Sequence, residues 1–229
     1  MKRIELIFAA VLGLIAIVEA GPTTASPETK SPPEAALEGS GGRVFMQLDE
    51  ALKLAFPKLE VKRSTRFLSK TQKARVNALG GSPIVSGIIY PYEAWRKDPK
   101  TGEKVLVGTA YFETHRVRSL RETMMFVVSP EGNILRAEVL AFYEPVDYMP
   151  NKRFYAQFKG KVLDDELRVS RGIKTVTGCT LSVNASTKSA RRILAIHKVL
   201  GEPSPPPKEK GGVKGSKNDS QTSTPPSPR

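Results

Sequence analysis

The sequence predicts an α+β domain: a largely antiparallel sheet of hairpins, short N-terminal helices, and a C-terminal helix following a Thr-Gly-Cys-Thr segment. Apolar strand-like runs occur in pairs around polar turn signals, which is the pattern of hairpins. Helical spacing is confined to the start and end of the central region. Both chain ends depart from globular patterning, and that limits the folded unit to residues 43–200.

Met1-Lys2-Arg3 is a basic start, and Leu6 to Val18 is an almost unbroken apolar run. Val18-Glu19-Ala20 then supplies a small-x-small cleavage pattern. The run falls short of the ~20 residues that cross a bilayer. Residues 1–20 are therefore expected to be a signal peptide, with an uncleaved anchor as the alternative, and export is expected to the periplasm or an extracytoplasmic membrane face. Residues 21–42 are rich in Pro, Thr, Ser, Glu and Gly and read as a flexible linker. Residues 201–229, rich in Pro, Lys and Ser, read as a disordered tail.

Within the central region, Asp49 to Phe56 is expected to be a short helix ended by Pro57. Ser69 is placed to cap a second helix from Thr71 to Leu79, closed by Gly80-Gly81. Ile84 to Tyr92 and Val105 to Glu113 bracket a polar turn at Asp98 to Gly102, the first expected hairpin. Met124 to Val128 and Ile134 to Phe142 bracket Ser129 to Asn133, the second. Along the last strand Ile134, Arg136, Glu138 and Leu140 alternate with Leu135, Ala137, Val139 and Ala141, as on a half-buried sheet. A helix from about Ser186 to Val199 carries Ala190, Ile193, Leu194 and His197 on one stripe. Lys188, Arg191 and Arg192 fall on its flank and outer face.

Composition narrows the chemistry. One cysteine, Cys179, excludes an internal disulfide, multi-cysteine zinc and cysteine-ligated iron–sulfur clusters. Two histidines, His115 and His197, make a His-rich metal site an unpromising reading. The net charge of +13 is spread over the central region and reads as a solvated basic surface, with anionic lipid or an acidic redox partner as possible counterparts. Export argues against nucleic acid. Asp164-Asp165-Glu166 reads as a solvated turn, and Trp95 as a half-buried residue.

The stretch Ile173 to Ser182 places a glycine and several hydroxyls ahead of the final helix. Gly178 permits unusual backbone, and the helix N-terminus favours an anion, with Lys174 and Lys188 as supporting cations. Such turns are also ordinary helix caps.

Thr177-Gly178-Cys179-Thr180-Leu181-Ser182 resembles the Ser/Thr-Gly-Ala-Thr-x-Ser/Thr signature of the FMN-binding domain family. That domain occurs in the flavin-bearing subunits of Rnf and sodium-pumping NADH:quinone reductase complexes. Met124 to Ile134 is similar to the family's central hairpin, and Glu138 to Pro145 to its strand ending in a glutamate. Gln157-Phe158-Lys159-Gly160-Lys161 resembles its Gln-Phe-x-Gly-Lys link. The similarity covers about Gly108 to Leu200, with a weaker part at Ala51 to Phe56.

The resemblance implies FMN, with Thr180 as the phosphoester attachment point made by a separate flavin transferase. It further implies that Thr177, Gly178, Cys179, Leu181 and Ser182 line the phosphate and ribityl chain, and that Glu144 sits near the flavin. Tyr143, Tyr148 and Tyr155 are stacking candidates. The implied role is electron transfer with a membrane-associated redox protein, as a carrier rather than a stand-alone enzyme. Two positions depart from the pattern: Lys174 stands where flavinylated members usually have aspartate, and Cys179 replaces the alanine. Both favour the alternative, a flavin-free extracytoplasmic binding protein on the same fold.

Overall fold

The structure is a computed structural model and describes residues 42–202. The expected signal peptide, nearly all of the expected linker, and the tail from residue 203 onward lie outside the described residues. The fold is α+β, with a curled, six-stranded antiparallel sheet and four α-helices. In chain order the elements are β1 (Arg43–Val44), α1 (Leu48–Ala55), β2 (Glu60–Arg63), β3 (Arg66–Phe67) and α2 (Lys70–Gly80). β4 (Ile88–Ile89), β5 (Tyr92–Lys97), β6 (Lys104–Arg116), β7 (Arg121–Val128) and β8 (Ile134–Phe142) follow. A 3₁₀ turn at Val146–Tyr148, α3 (Lys152–Ala156) and α4 (Thr180–Gly201) complete the described part. The sheet order is β1-β8-β7-β6-β5-β2, and β3 pairs with β4 separately.

The local signals of the early helices are met. Ser69 caps α2 by accepting the Gln72 N–H, while the Gln72 side chain accepts the Ser69 N–H. Gly81 closes the helix in the left-handed region. A Cβ on Gly80 would meet Arg192 Cα at 3.1 Å, so this glycine lets α2 lie close against α4. The first hairpin differs from expectation at its start. Only Tyr92–Lys97 joins the main sheet, whereas Ile88–Ile89 pairs with β3. Residues 82–87 lie outside any strand, in a connection that includes Pro83 and Gly87.

β7 is the centre of the molecule. Met124, Phe126 and Val128 pack toward α4, and Met125 and Val127 toward α1. The expected alternation on β8 is broken by two register shifts, which leave Leu135 and Leu140 without a paired position. As a result Ile134 shares the α4-side core with Ala137 and Val139, while Leu140 belongs to the α1 side.

The last helix begins at Thr180 rather than near Ser186. It is buried around most of its circumference. Its small residues permit this, and Ser186 and Thr187 donate their hydroxyls to the carbonyls of Ser182 and Val183. Arg191 does not lie on the outer face. It is buried and donates to the carbonyls of Asp164, Leu167 and Leu79, fastening the 164–167 turn and α2 to α4. Ala190, Ile193 and Leu194 are buried as expected, while half-buried His197 lies 3.0 Å from the Tyr111 hydroxyl. No described helix is long and apolar enough to cross a membrane.

Candidate functional site

The segment ahead of α4 is held in place by the connection that follows β8. Gln157 accepts the Lys174 N–H (2.8 Å) and donates to the Lys174 carbonyl (3.3 Å), pairing with that backbone as a neighbouring strand would. Phe158 is fully buried, and the residues after it are tied to β8 through Gly160 N–H to Ile134 O and Ile134 N–H to Lys161 O. The Gln-Phe-Lys-Gly-Lys run thus links the sheet to the approach of α4.

Gly178 then takes φ of +82°, a conformation that strains any residue with a Cβ. This turns the chain into Cys179, the N-cap residue, and Thr180, the first residue of α4. Cys179 provides no side-chain cap, and the first intrahelical bond runs from Val183 N–H to Cys179 O. The N–H groups of Thr180, Leu181 and Ser182 are therefore available at the positive end of the helix dipole.

Glu144 follows the end of β8 and is 4% exposed. Its Oε1 accepts three consecutive backbone N–H groups of the β6–β7 turn: Arg118 (3.1 Å), Ser119 (2.6 Å) and Leu120 (2.7 Å). Burial acts to raise its pKa. The three donors and the nearby Arg118 charge outweigh burial and hold the carboxyl below its ordinary value. The folded-state value is thus below the unfolded one. This contribution to stability is present above the ordinary carboxylate range and is lost as pH falls through the folded value. Glu144→Gln is expected to lower stability by about 2 kcal/mol at pH 7, with the deficit shrinking toward pH 3. Urea unfolding at the two pH values checks this; a deficit independent of pH would remove the charge from the explanation.

These pieces meet. A cavity of about 140 Å³ is walled by Val117 and Arg118 of the clamped turn, by Glu144 and Tyr148, and by Gly178 through Ser182. Six of the seven expected site residues line it: Glu144, Gly178, Cys179, Thr180, Leu181 and Ser182. Thr177 is exposed and does not line it. The Thr180 side chain is exposed, and Leu181 is half exposed. Ser182 is buried and donates to the Tyr148 carbonyl at 2.6 Å, fixing that tyrosine's backbone beside the helix. Cys179 is buried and its Sγ lies 3.7 Å from the Asp147 carbonyl; burial pushes the thiol pKa up, so it stays protonated.

Two expected cations are not at this site. Neither Lys174 nor Lys188 lines the cavity. Arg118, which the sequence did not single out, does. Of the three tyrosines only Tyr148 lines the cavity, with 41% of its surface exposed. Tyr143 packs where a side chain on Gly42 would fall. Tyr155 is buried in the core, edge-on to Phe154, with its hydroxyl on Glu122.

Glu122 was also not anticipated. It is fully buried on β7 and receives the Tyr155 hydroxyl (2.8 Å) and the Ser186 hydroxyl (2.8 Å), with His115 Nε2 2.9 Å away. This network joins β6, β7, α3 and α4 just inside the cavity's helix. No family model matches the chain, and no curated protein matches it either.

Proposed function

We propose that this chain is an exported FMN-carrying electron-transfer protein, with the flavin phosphate held at the N-terminus of α4 and esterified to Thr180. The observation that supports this reading most is the convergence of Arg118, Glu144 and Gly178 through Ser182 on one cavity. The residues suit a phosphate by their chemistry. Free N–H groups and the helix dipole favour a dianion, and Arg118 adds a guanidinium on the opposite wall. Glu144 is an ionised carboxylate whose charge is offset locally by three backbone N–H donors and by Arg118. Its role is to position Arg118.

Thr180 projects an exposed hydroxyl, accessible to a modifying transferase. Tyr148, half exposed on the cavity wall, is the chain's aromatic surface for a flavin ring. The protonated, buried Cys179 fills space and does not act as a nucleophile. When bound, FMN would supply one- and two-electron redox chemistry, and the protein supplies position and charge. Partners on this reading are a flavin transferase and a membrane-associated redox protein.

The deciding experiment is intact mass measurement of the chain exported together with a flavin transferase. The expected product is a chain lacking the N-terminal segment and carrying one FMN phosphoester. Arg118→Gln is expected to reduce the modified fraction at least fivefold while the chain stays folded, with only a small drop in melting temperature from the lost charge beside Glu144. An unmodified mass and no flavin fluorescence would instead leave the second reading, a flavin-free binding protein, which Lys174 in place of the family's aspartate favours.

A further inference from the structure

An open groove of about 850 Å³ lies elsewhere along the same helix. Its floor is β6 and α4, from Tyr111 to Arg116 and from Ala185 to Ile196. Ala185 and Ile196 stand about 16 Å apart along α4 at ~1.5 Å per residue. Its outer wall is the 82–90 segment, which overlaps the Ile84 to Tyr92 run expected as the first strand of the hairpin. That wall is fastened by Ile84 N–H to Asn77 Oδ1 (2.9 Å) and by Arg192 to Ser82 Oγ (2.7 Å). Val85, Ile88 and Tyr90 on it are exposed apolar residues.

The groove combines an apolar interior with one sign of charge. Arg63, Arg116, Arg121 and Lys188 line it, and among the described residues none has a carboxylate partner. Arg63 is held over the Tyr90 ring, 4.5 Å from its centroid, at the groove wall. The lining carboxylate is Glu113, which is already paired with Arg192 and accepts the Ser189 hydroxyl. Glu122 lies behind the wall, fully buried against His115. Four uncompensated cations around an apolar trough are electrostatically suited to an anion with an apolar body.

We propose that this groove binds an elongated apolar molecule carrying a single anionic head, such as a long-chain carboxylate. The chain lies against Ile84, Ile193 and Ile196, and the head reaches Arg121 and Lys188. The same chemistry is offered by a free fatty-acid-like anion or by an anionic lipid. The inference does not rest on the flavin reading.

Calorimetric titration of the exported, flavin-free chain with decanoate tests it, with decyltrimethylammonium as the cation of matched tail. Decanoate is expected to bind saturably with one site, and the cation at least tenfold more weakly. Ala185→Trp, which fills the floor, and Arg121→Glu with Lys188→Glu, both exposed, are each expected to weaken decanoate at least tenfold without lowering the melting temperature. Competition by phosphatidylglycerol vesicles would assign the anion to a lipid, and its absence to a free amphiphile; either result keeps the site. Equal binding of the two amphiphiles, indifference to Ala185→Trp, or mutual exclusion with FMN would overturn it as a separate site.

Discussion

Glu122→Ala is expected to lower the free energy of unfolding by about 4 kcal/mol, measured by urea denaturation at neutral pH. The residue is wholly inaccessible to solvent and its two carboxylate oxygens meet three side-chain partners. Alanine leaves the Tyr155 hydroxyl and the His115 ring without this partner, while Ser186 keeps only the Ser182 carbonyl. A buried polar group left unpaired costs about 1–3 kcal/mol. The substitution also opens a void at the junction of β7, α3 and α4. For a domain whose stability is of order 5–15 kcal/mol, this is a large fraction. Glu122→Gln retains an acceptor and much of the volume, so its loss should be about half as great. A loss below ~1 kcal/mol for alanine would mean that the network is not what fastens α4 to the sheet.

The second large effect belongs to the proposed flavin attachment. Thr180→Val is expected to abolish the FMN mass adduct and the flavin fluorescence on a denaturing gel. Stability should change by no more than about 0.5 kcal/mol, because an exposed side chain is altered in its hydroxyl alone. The Asn184 side chain still caps the Thr180 carbonyl at 2.8 Å, since that bond uses backbone. The pairing of a complete functional loss with an intact fold separates attachment chemistry from structural damage. An adduct that survives would move the ester to another hydroxyl, and an adduct lost together with the fold would point to a packing role for Thr180.

The parts of this architecture that were legible in the sequence are those with short-range causes. Ser69 announces the start of α2 and Gly80-Gly81 its end because cap and stop act within a few residues; the Gln72 half of the capping box emerged only in the structure. The turn from Ser129 to Asn133 announces β7 and β8 because Gly132 and Ser129 close it locally. Glu144 and the Gly178 to Ser182 segment were drawn together by resemblance alone, since nothing local relates residues so far apart. What stayed hidden depends on distant partners. Glu122 sits between Arg121 and Thr123 in an ordinary-looking strand; its burial follows from Tyr155 and Ser186, which arrive from α3 and α4. Arg191 was assigned to the surface because charge usually faces water, and the carbonyls that hold it belong to two other segments. The register shifts on β8 leave no compositional trace, so a simple alternation put Ile134 and Leu140 on one face. Residues Ile84 to Tyr92 are apolar enough for a strand, yet most of them form a groove wall whose support comes from Asn77 and Arg192.

The two ends of the sheet determine how this domain can meet other molecules. At one end β1 covers only Ala141 and Phe142 of β8, and the bonds of Phe45 and Met46 to Leu140 and of the 160–161 link to Ile134 leave a short stretch of β8 between them at the margin. At the other, β2 exposes Glu60, Lys62 and Arg63 along its four residues. Charged or abbreviated margins of this kind discourage backbone-to-backbone annealing between copies. Along β2 recognition is thereby left to side-chain surfaces, so a partner on that side must read charge and shape rather than extend the sheet.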